Sequence, residues 1–378
     1  MAAYANRIIL TGATGYVGGT LLDHLLKSTE PSIKRLTFDL LVRSDDQAQK
    51  IRDAYGTRVS PILWKGLDDI AATADIAANY DIVINTGLGF HPPGARAFVT
   101  GLSRRVQEGT PLPWILHISG CTNLGDRPLT EKGCPDKVWD DADGGAVYQY
   151  LKTEDERNPY LQRTTEVGVL TAAAESGVQA VSLNTPCIFG EGTGLFNKQG
   201  IIIPTIMRYV VTHGHGYKLT ETANFDWVHV EDLADAYVLL LRAILEREDR
   251  GVGYIPSGRE GIMFPAVGRV LQLEIMQRSL DVAFDAGVLP REDTPKEKEI
   301  RQIPLQDLAD ELTYGMADIA EQGWAGNKAQ KGTILKNLFG WSPSRLEEAW
   351  AQDFVDEFNA LKEGRRGVTM DACIGLKN

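Results

Sequence analysis

Cysteine is scarce in this chain. Only Cys121, Cys134, Cys187 and Cys373 occur in 378 residues, and no two of them form a C-x-x-C pair. That excludes a zinc ribbon and a disulfide framework, so neither a metal nor a cross-linked scaffold is expected, and the thiols read as reduced. Basic blocks are missing too. Lys and Arg number 39 against 51 Asp and Glu, a net charge of −12. An acidic chain without a cationic stretch is a poor ligand for nucleic acid or for an anionic membrane. No apolar run reaches the length of a membrane span, and the opening MAAYANR lacks the apolar core of a signal peptide. Internal repeats and low-complexity tracts are also absent. These absences point to a cytoplasmic globular protein whose partner is a small molecule.

What is present is organised around Ile8–Gly19. Three apolar residues, Ile8, Ile9 and Leu10, lead into glycines at positions 12, 15 and 18. An amphipathic run follows, with Leu21, Leu22, Leu25 and Leu26. This reads as strand, tight turn and helix. Gly12 lets the chain turn, Gly15 lets a pyrophosphate approach the backbone, and Gly18 lets the helix pack against the strand. Free N–H groups at the helix start, at Thr14, Tyr16 and Val17, suit phosphate.

The segment T-G-A-T-G-Y-V-G resembles the opening of the extended short-chain dehydrogenase/reductases, the group of UDP-sugar epimerases and dihydroflavonol reductases. The resemblance spans roughly the first 260 residues. It implies an α/β fold: a Rossmann doubly wound parallel sheet with a smaller C-terminal substrate-binding lobe. The implied division is 1–186 for the dinucleotide domain, completed by 226–256, with 187–225 and 257–378 forming the lobe. A homodimer through helices 94–108 and 160–176 is a further expectation of that resemblance.

Further strands are expected at Leu36–Ser44, Val59–Trp64, Asp81–Asn85 and Trp114–Ser119, with helices between them, an alternation that indicates a parallel sheet. The second strand ends at Arg43-Ser44. An acid there would mark NAD, whereas an Arg accommodates the 2′-phosphate of NADP. NADP(H) is therefore expected over NAD(H). The rival, Asp39, lies inside the apolar run, four residues short of the strand end. Leu67 takes the position of an adenine-side acid in the family. Thr86 and Gly87 would lie along the nicotinamide ribose, and Pro186 and Ile188 would close over the nicotinamide.

Catalysis in the family uses a Ser or Thr after the fifth strand and a Tyr-x-x-x-Lys pair on the following helix. The segment Ser119-Gly120-Cys121-Thr122-Asn123-Leu124-Gly125-Asp126 resembles the first of these, with Gly120 in place of the usual serine and Ser119 and Thr122 flanking it. Two tyrosines compete for the second. Tyr148 has Lys152 at the right spacing, which arises readily by chance in a chain of 12 tyrosines. Tyr160 has the right distance to the strand ending at Thr185 but no lysine, since Arg163 and Thr164 occupy that place. Three readings stay open: Tyr160 acts, Tyr148 acts with Lys152, or the dyad is lost. His117 reads as a satisfied strand residue, and His229 with Asp232 as a helix start. The function implied is an NADP(H)-dependent carbonyl reductase or secondary alcohol dehydrogenase. The alternatives are an epimerase or dehydratase that retains its cofactor, and a dinucleotide-binding sensor or non-redox protein with a degenerate dyad.

Overall fold

The computed structural model describes residues 6–107, 111–247, 253–290, 293, 297–365, 367 and 369–374. Its strands are β1 (Ile8–Thr11), β2 (Phe38–Val42), β3 (Val59–Leu63), β4 (Ile82–Asn85), β5 (Trp114–Gly120), β6 (Val138–Asp140), β7 (Gln179–Thr185), β8 (Cys187–Phe189), β9 (Gly216–Lys218), β10 (Asn224–His229), β11 (Ile262–Met263), β12 (Gly268–Leu271), β13 (Ile300–Gln302) and β14 (Ala329–Lys331). Seven of them form one parallel sheet in the order β11-β7-β5-β4-β1-β2-β3. The order reverses between β1 and β4, which is the switch point of a doubly wound Rossmann sheet.

Alternation along the strands explains the two covered faces. Ile8 and Leu10 enter one core with Leu21, Leu25, Leu233 and Leu240, whereas Ile9 enters the opposite core with Phe98, Val167 and Leu170. The first core is roofed by α1 (Tyr16–Lys27), α2 (Asp45–Tyr55) and α8 (Val230–Leu245). On the other side lie α3 (Ile70–Ala77), α4 (Pro92–Ser103), α5 (Gly144–Arg157) and α6 (Leu161–Ser176). Strands buried on both faces must read as near-continuous apolar runs, as Ile82–Ile84 and Ile115–Leu116 do.

A third core belongs to the lobe. It gathers Phe189, α7 (Ile202–His213), Trp227 and the closing helix Glu347–Lys362. Trp227 and Trp350 stack with centroids 5.4 Å apart, and Phe189 meets both edge-on.

Three boundaries differ from expectation. The helix expected over 94–108 runs from Pro92 to Ser103, because His91 caps it by accepting from Gly94 N at 3.0 Å and Pro92 suits a first helical turn; Glu108 lies outside the described residues. Within 226–256, β10 joins β8 and β12 in a separate small sheet, α8 returns to the first core, and residues 248–252 lie outside the described residues. Beyond 256 the chain still adds β11 to the edge of the central sheet, Ile262 opposite Ser182.

Candidate active site

The glycine turn sits at the carboxyl edge of the sheet. Gly12 has a φ of +76°, and a Cβ there would lie 2.6 Å from the Thr86 carbonyl. Thr86 donates its hydroxyl to the Thr11 carbonyl at 2.7 Å, locking the end of β4 against the turn. A Cβ at Gly18 would strike both the Gly12 carbonyl and Thr86 Oγ1. The turn therefore tolerates no side chain at either position.

Gly15 caps α1 without a side-chain hydrogen bond, and the first turn carries no acid. Thr14, Gly15 and Val17 are half-buried, and the uncapped N–H groups of this helix face the edge where the chain crosses over. An uncapped positive helix end behind a glycine cradle fits a diphosphate. Tyr16 is turned inward instead, donating to the Gly190 carbonyl at 2.5 Å, and burial pushes its phenol well above its ordinary value.

The residues expected to flank this cradle lie at the ends of β2, β4 and β7 and before α4. Arg43 is the first residue past β2 and is exposed, while Ser44 caps α2 by accepting from Gln47 N at 3.3 Å. Asp39 is held within β2 by the Tyr80 hydroxyl at 2.7 Å. Leu67 is half-buried against α4, and the adjacent Asp68 pairs with His91 at 2.9 Å. Gly87 N donates to Asn85 Oδ1 at 3.3 Å beside Thr86. Pro186 begins the crossover out of β7, and Ile188 lies in β8 opposite Val228.

α6 leads into a parallel strand, so its N-terminus stands over the carboxyl edge of the sheet. Tyr160 is its cap residue, and the Tyr160 hydroxyl donates to Thr122 Oγ1 at 3.2 Å. Thr122 in turn donates to Gln162 Oε1 at 2.5 Å. Asp155 fixes the start of the helix by accepting from Tyr160 N and from Thr164 Oγ1. Burial pushes the Tyr160 phenol well above the ordinary tyrosine value, and the Thr122 hydrogen bond offsets part of that. Among the described residues, the cation over the ring is Arg163, its guanidinium carbon 5.8 Å from the centroid. Its nitrogens, however, bond the Asn123 and Asn158 carbonyls.

Tyr148 and Lys152 are elsewhere. Tyr148 packs in the core under α6 and bonds Thr171 Oγ1 at 2.7 Å. Thr171 commits its own proton to the Val167 carbonyl, so Tyr148 is the donor. Thr171 lies ten residues along α6 from Leu161, which is roughly 15 Å at the helical rise. Lys152 is at the surface, 3.8 Å from Glu156. Ser119 is also turned away from Tyr160. Its hydroxyl accepts from Asn123 Nδ2 at 3.0 Å, within a buried network in which Glu166 takes hydrogen bonds from Asn123, Ser182 and Asn184. Burial raises the Glu166 carboxyl, against the pull of those donors.

His117 lies in β5 with Nδ1 3.0 Å from Asn85 Nδ2, and burial lowers it to about 4, so it is neutral. His229 caps α8 by accepting from Glu231 N. Sequence reasoning missed Gln162 and the C-terminal cover of the site. Ile374 packs with Phe90 and Tyr160 in a small apolar cluster, joined by Leu88, Met316, Ile319, Met370 and Cys373.

Residues 146–253 match the model of the NAD dependent epimerase/dehydratase family. The chain is 26% identical over 350 residues to the oxidase ucsJ of an Acremonium species, covering 89% of this chain and 93% of the relative. In structure it is similar to the dTDP-glucose 4,6-dehydratase of Streptomyces venezuelae, with a TM-score of 0.60 and 13% identity over 95% of this chain and 98% of that one. Vestitone reductase from alfalfa gives a TM-score of 0.56 and 15% identity over 96% and 100%. The match to the NAD dependent epimerase/dehydratase family thus covers 146–253, and the chain as a whole has a doubly wound Rossmann fold similar to that of the dehydratase and the reductase.

Proposed function

We propose that the protein is an NADP(H)-dependent oxidoreductase that interconverts a carbonyl and a secondary alcohol on a small, largely apolar molecule. The observation that carries this reading is the Tyr160 hydroxyl, 3.2 Å from Thr122 Oγ1 at the carboxyl edge of the sheet. Gly12, Gly15 and Gly18, with the free N–H groups of α1, would hold the diphosphate. Arg43 would take the 2′-phosphate, Leu67 would flank the adenine, and Thr86 and Gly87 would lie along the second ribose. When bound, the nicotinamide supplies or accepts a hydride.

The chain's own part is the proton. In reduction the Tyr160 O–H gives its proton to the substrate oxygen as the C=O π pair moves onto that oxygen. The phenolate left behind lies beside the positive end of α6. A family lysine would ordinarily stabilise that phenolate, and here the helix end and the Arg163 guanidinium are the nearest positive groups.

The apolar cluster of Leu88, Phe90, Met316, Ile319 and Ile374 around the phenol favours an apolar substrate over a nucleotide sugar. Vestitone reductase, by its name, reduces a vestitone, a reaction class that agrees with this reading; ucsJ is named an oxidase. The test is a screen of ketones, aldehydes and secondary alcohols followed by NADPH absorbance, after mass spectrometry of the purified protein for retained nucleotide. Retained cofactor with no net NADPH change on any substrate would favour the epimerase or dehydratase alternative.

A further inference from the structure

We propose that the side-chain amide of Gln162 is the donor that holds the substrate oxygen, in the room where a serine at position 120 would stand. The inference rests on the reductase reading above.

Gln162 projects from the first turn of α6, two residues after Tyr160. A Cβ added at Gly120 would lie 2.7 Å from Gln162 Nε2 and 3.2 Å from its Cδ and Oε1. A Cβ at Gly89, beyond the end of β4, would lie 3.7 Å from the same nitrogen. The amide therefore sits between the ends of β4 and β5, in room that a side chain at position 120 would take from it. A serine at 120 would displace the amide from this place.

The orientation of the amide follows from its partner. Thr122 has one proton, and it goes to Gln162 Oε1, while its lone pair accepts from Tyr160. With Oε1 so occupied, the NH₂ end turns toward the gap. Among the described residues no acceptor takes a hydrogen bond from it. An amide with its oxygen fixed and its two N–H donors unspent is a preorganised site for an acceptor oxygen.

Tyr160 and Gln162 converge through Thr122, so one carbonyl oxygen can take the phenol on one lone pair and the amide N–H on the other. A serine hydroxyl can donate or accept, whereas this nitrogen can only donate. The site therefore requires an oxygen with a lone pair to offer the amide, as a ketone, an aldehyde or the product alcohol has.

The test uses two probes on the full-length protein. Phenanthrenequinone, a planar apolar dicarbonyl, reports NADPH-dependent turnover. Benzamide, whose carbonyl resists reduction, reports oxygen binding to the NADP⁺-loaded protein by calorimetry. Gln162→Leu should keep NADPH affinity, which also shows that the variant is folded, and should lower kcat/KM about 10²-fold, the scale of losing one preorganised donor. Benzamide affinity should fall about tenfold. Gln162→Ala should lose as much, and adding Gly120→Ser to it should recover at least tenfold in kcat/KM.

Unchanged kcat/KM and benzamide affinity in Gln162→Leu would overturn the inference while leaving the reductase reading intact. So would failure of Gly120→Ser to improve on Gln162→Ala, or a wild type that binds no benzamide. If wild type turns over neither phenanthrenequinone nor any screened carbonyl, yet benzamide binding falls in Gln162→Leu, the reductase reading fails and the donor assignment stands.

Discussion

Tyr160 and Thr164 stand one helical turn apart at the start of α6, and Thr164 gives its hydroxyl to Asp155 and to the Tyr160 carbonyl rather than toward the phenol. The phenol thus has a neutral neighbour where a lysine would usually lower its pKa. Its polar contact is Thr122, and its surroundings are Phe90 edge-on at 5.8 Å and Ile374. A phenol so placed is a hydrogen-bonded acid whose proton is hard to remove.

Tyr160→Phe removes one hydroxyl and little else. Turnover should fall by about 10²–10⁴ while NADPH affinity stays constant, because the ring still fills its place against Phe90. Tyr148→Phe should leave turnover near wild type. It should cost about 1 kcal/mol of stability for the buried hydrogen bond to Thr171. Steady-state kinetics and urea unfolding of both variants read the contrast, and the opposite pattern would move the proton donor to α5.

Arg43→Ala addresses the cofactor. Charge-assisted hydrogen bonds to a phosphate are worth about 1.5–3 kcal/mol each, or roughly ten- to a hundredfold in affinity. The variant should bind NADP(H) that much more weakly and NAD(H) as before. Equal losses for both in calorimetry would remove Arg43 from the 2′-phosphate site. The rival Asp39 has one carboxylate oxygen engaged by the Tyr80 hydroxyl.

The parts of the site that local pattern controls were legible in the sequence. Ile8–Gly19 reads as strand, turn and helix because apolar spacing and glycine spacing act over neighbouring residues. α6 runs from Leu161 to Ser176, within a residue of the helix expected over 160–176. Tertiary contacts were not legible. Gln162 meets Gly120 only because α6 stands over β5, though a glycine at the serine position was a signal that something else fills the room. Met370–Cys373 makes too short a helix for periodicity to show, so its neighbour Ile374 could not be placed over Tyr160 from sequence. His91 as a helix cap is a side-chain geometry that a Pro-Pro-Gly stretch does not announce.

Glu357 carries a pH dependence of stability. It lies buried on the closing helix, accepting from Gln199 Nε2 at 2.9 Å, and burial pushes its carboxyl up to about 7 from 4.5. Between those two values the folded state holds a proton that the unfolded chain has released. Stability therefore falls as pH rises through this window and levels off above it. Glu357→Gln keeps the shape and cannot ionise. The Tm of the wild type should drop by a few degrees from pH 5 to pH 8, and that slope should be shallower in the variant. It should not vanish, because Asp353, one turn earlier, is raised by the same burial. Parallel slopes in calorimetric scans would show that Glu357 is not the titrating group.

The raised phenol also sets which direction of the reaction responds to pH. Reduction needs Tyr160 protonated, and oxidation of an alcohol needs the phenolate. The equilibrium releases one proton on oxidation, so the ratio of kcat/KM for oxidation to that for reduction must rise tenfold per pH unit. The tyrosine pKa decides which limb carries the change. A phenol near 7 would make oxidation level off above 7 and reduction fall there. With burial holding Tyr160 above its ordinary value of 10, reduction should stay flat from pH 6 to about 10. Oxidation should climb tenfold per unit across the same range without a plateau. Paired profiles with one ketone and its alcohol at saturating cofactor test this. A reduction limb that breaks near pH 7 would mean that a positive charge reaches the phenol in the working complex, and Arg163, 5.8 Å from the ring, is the side chain that could supply it.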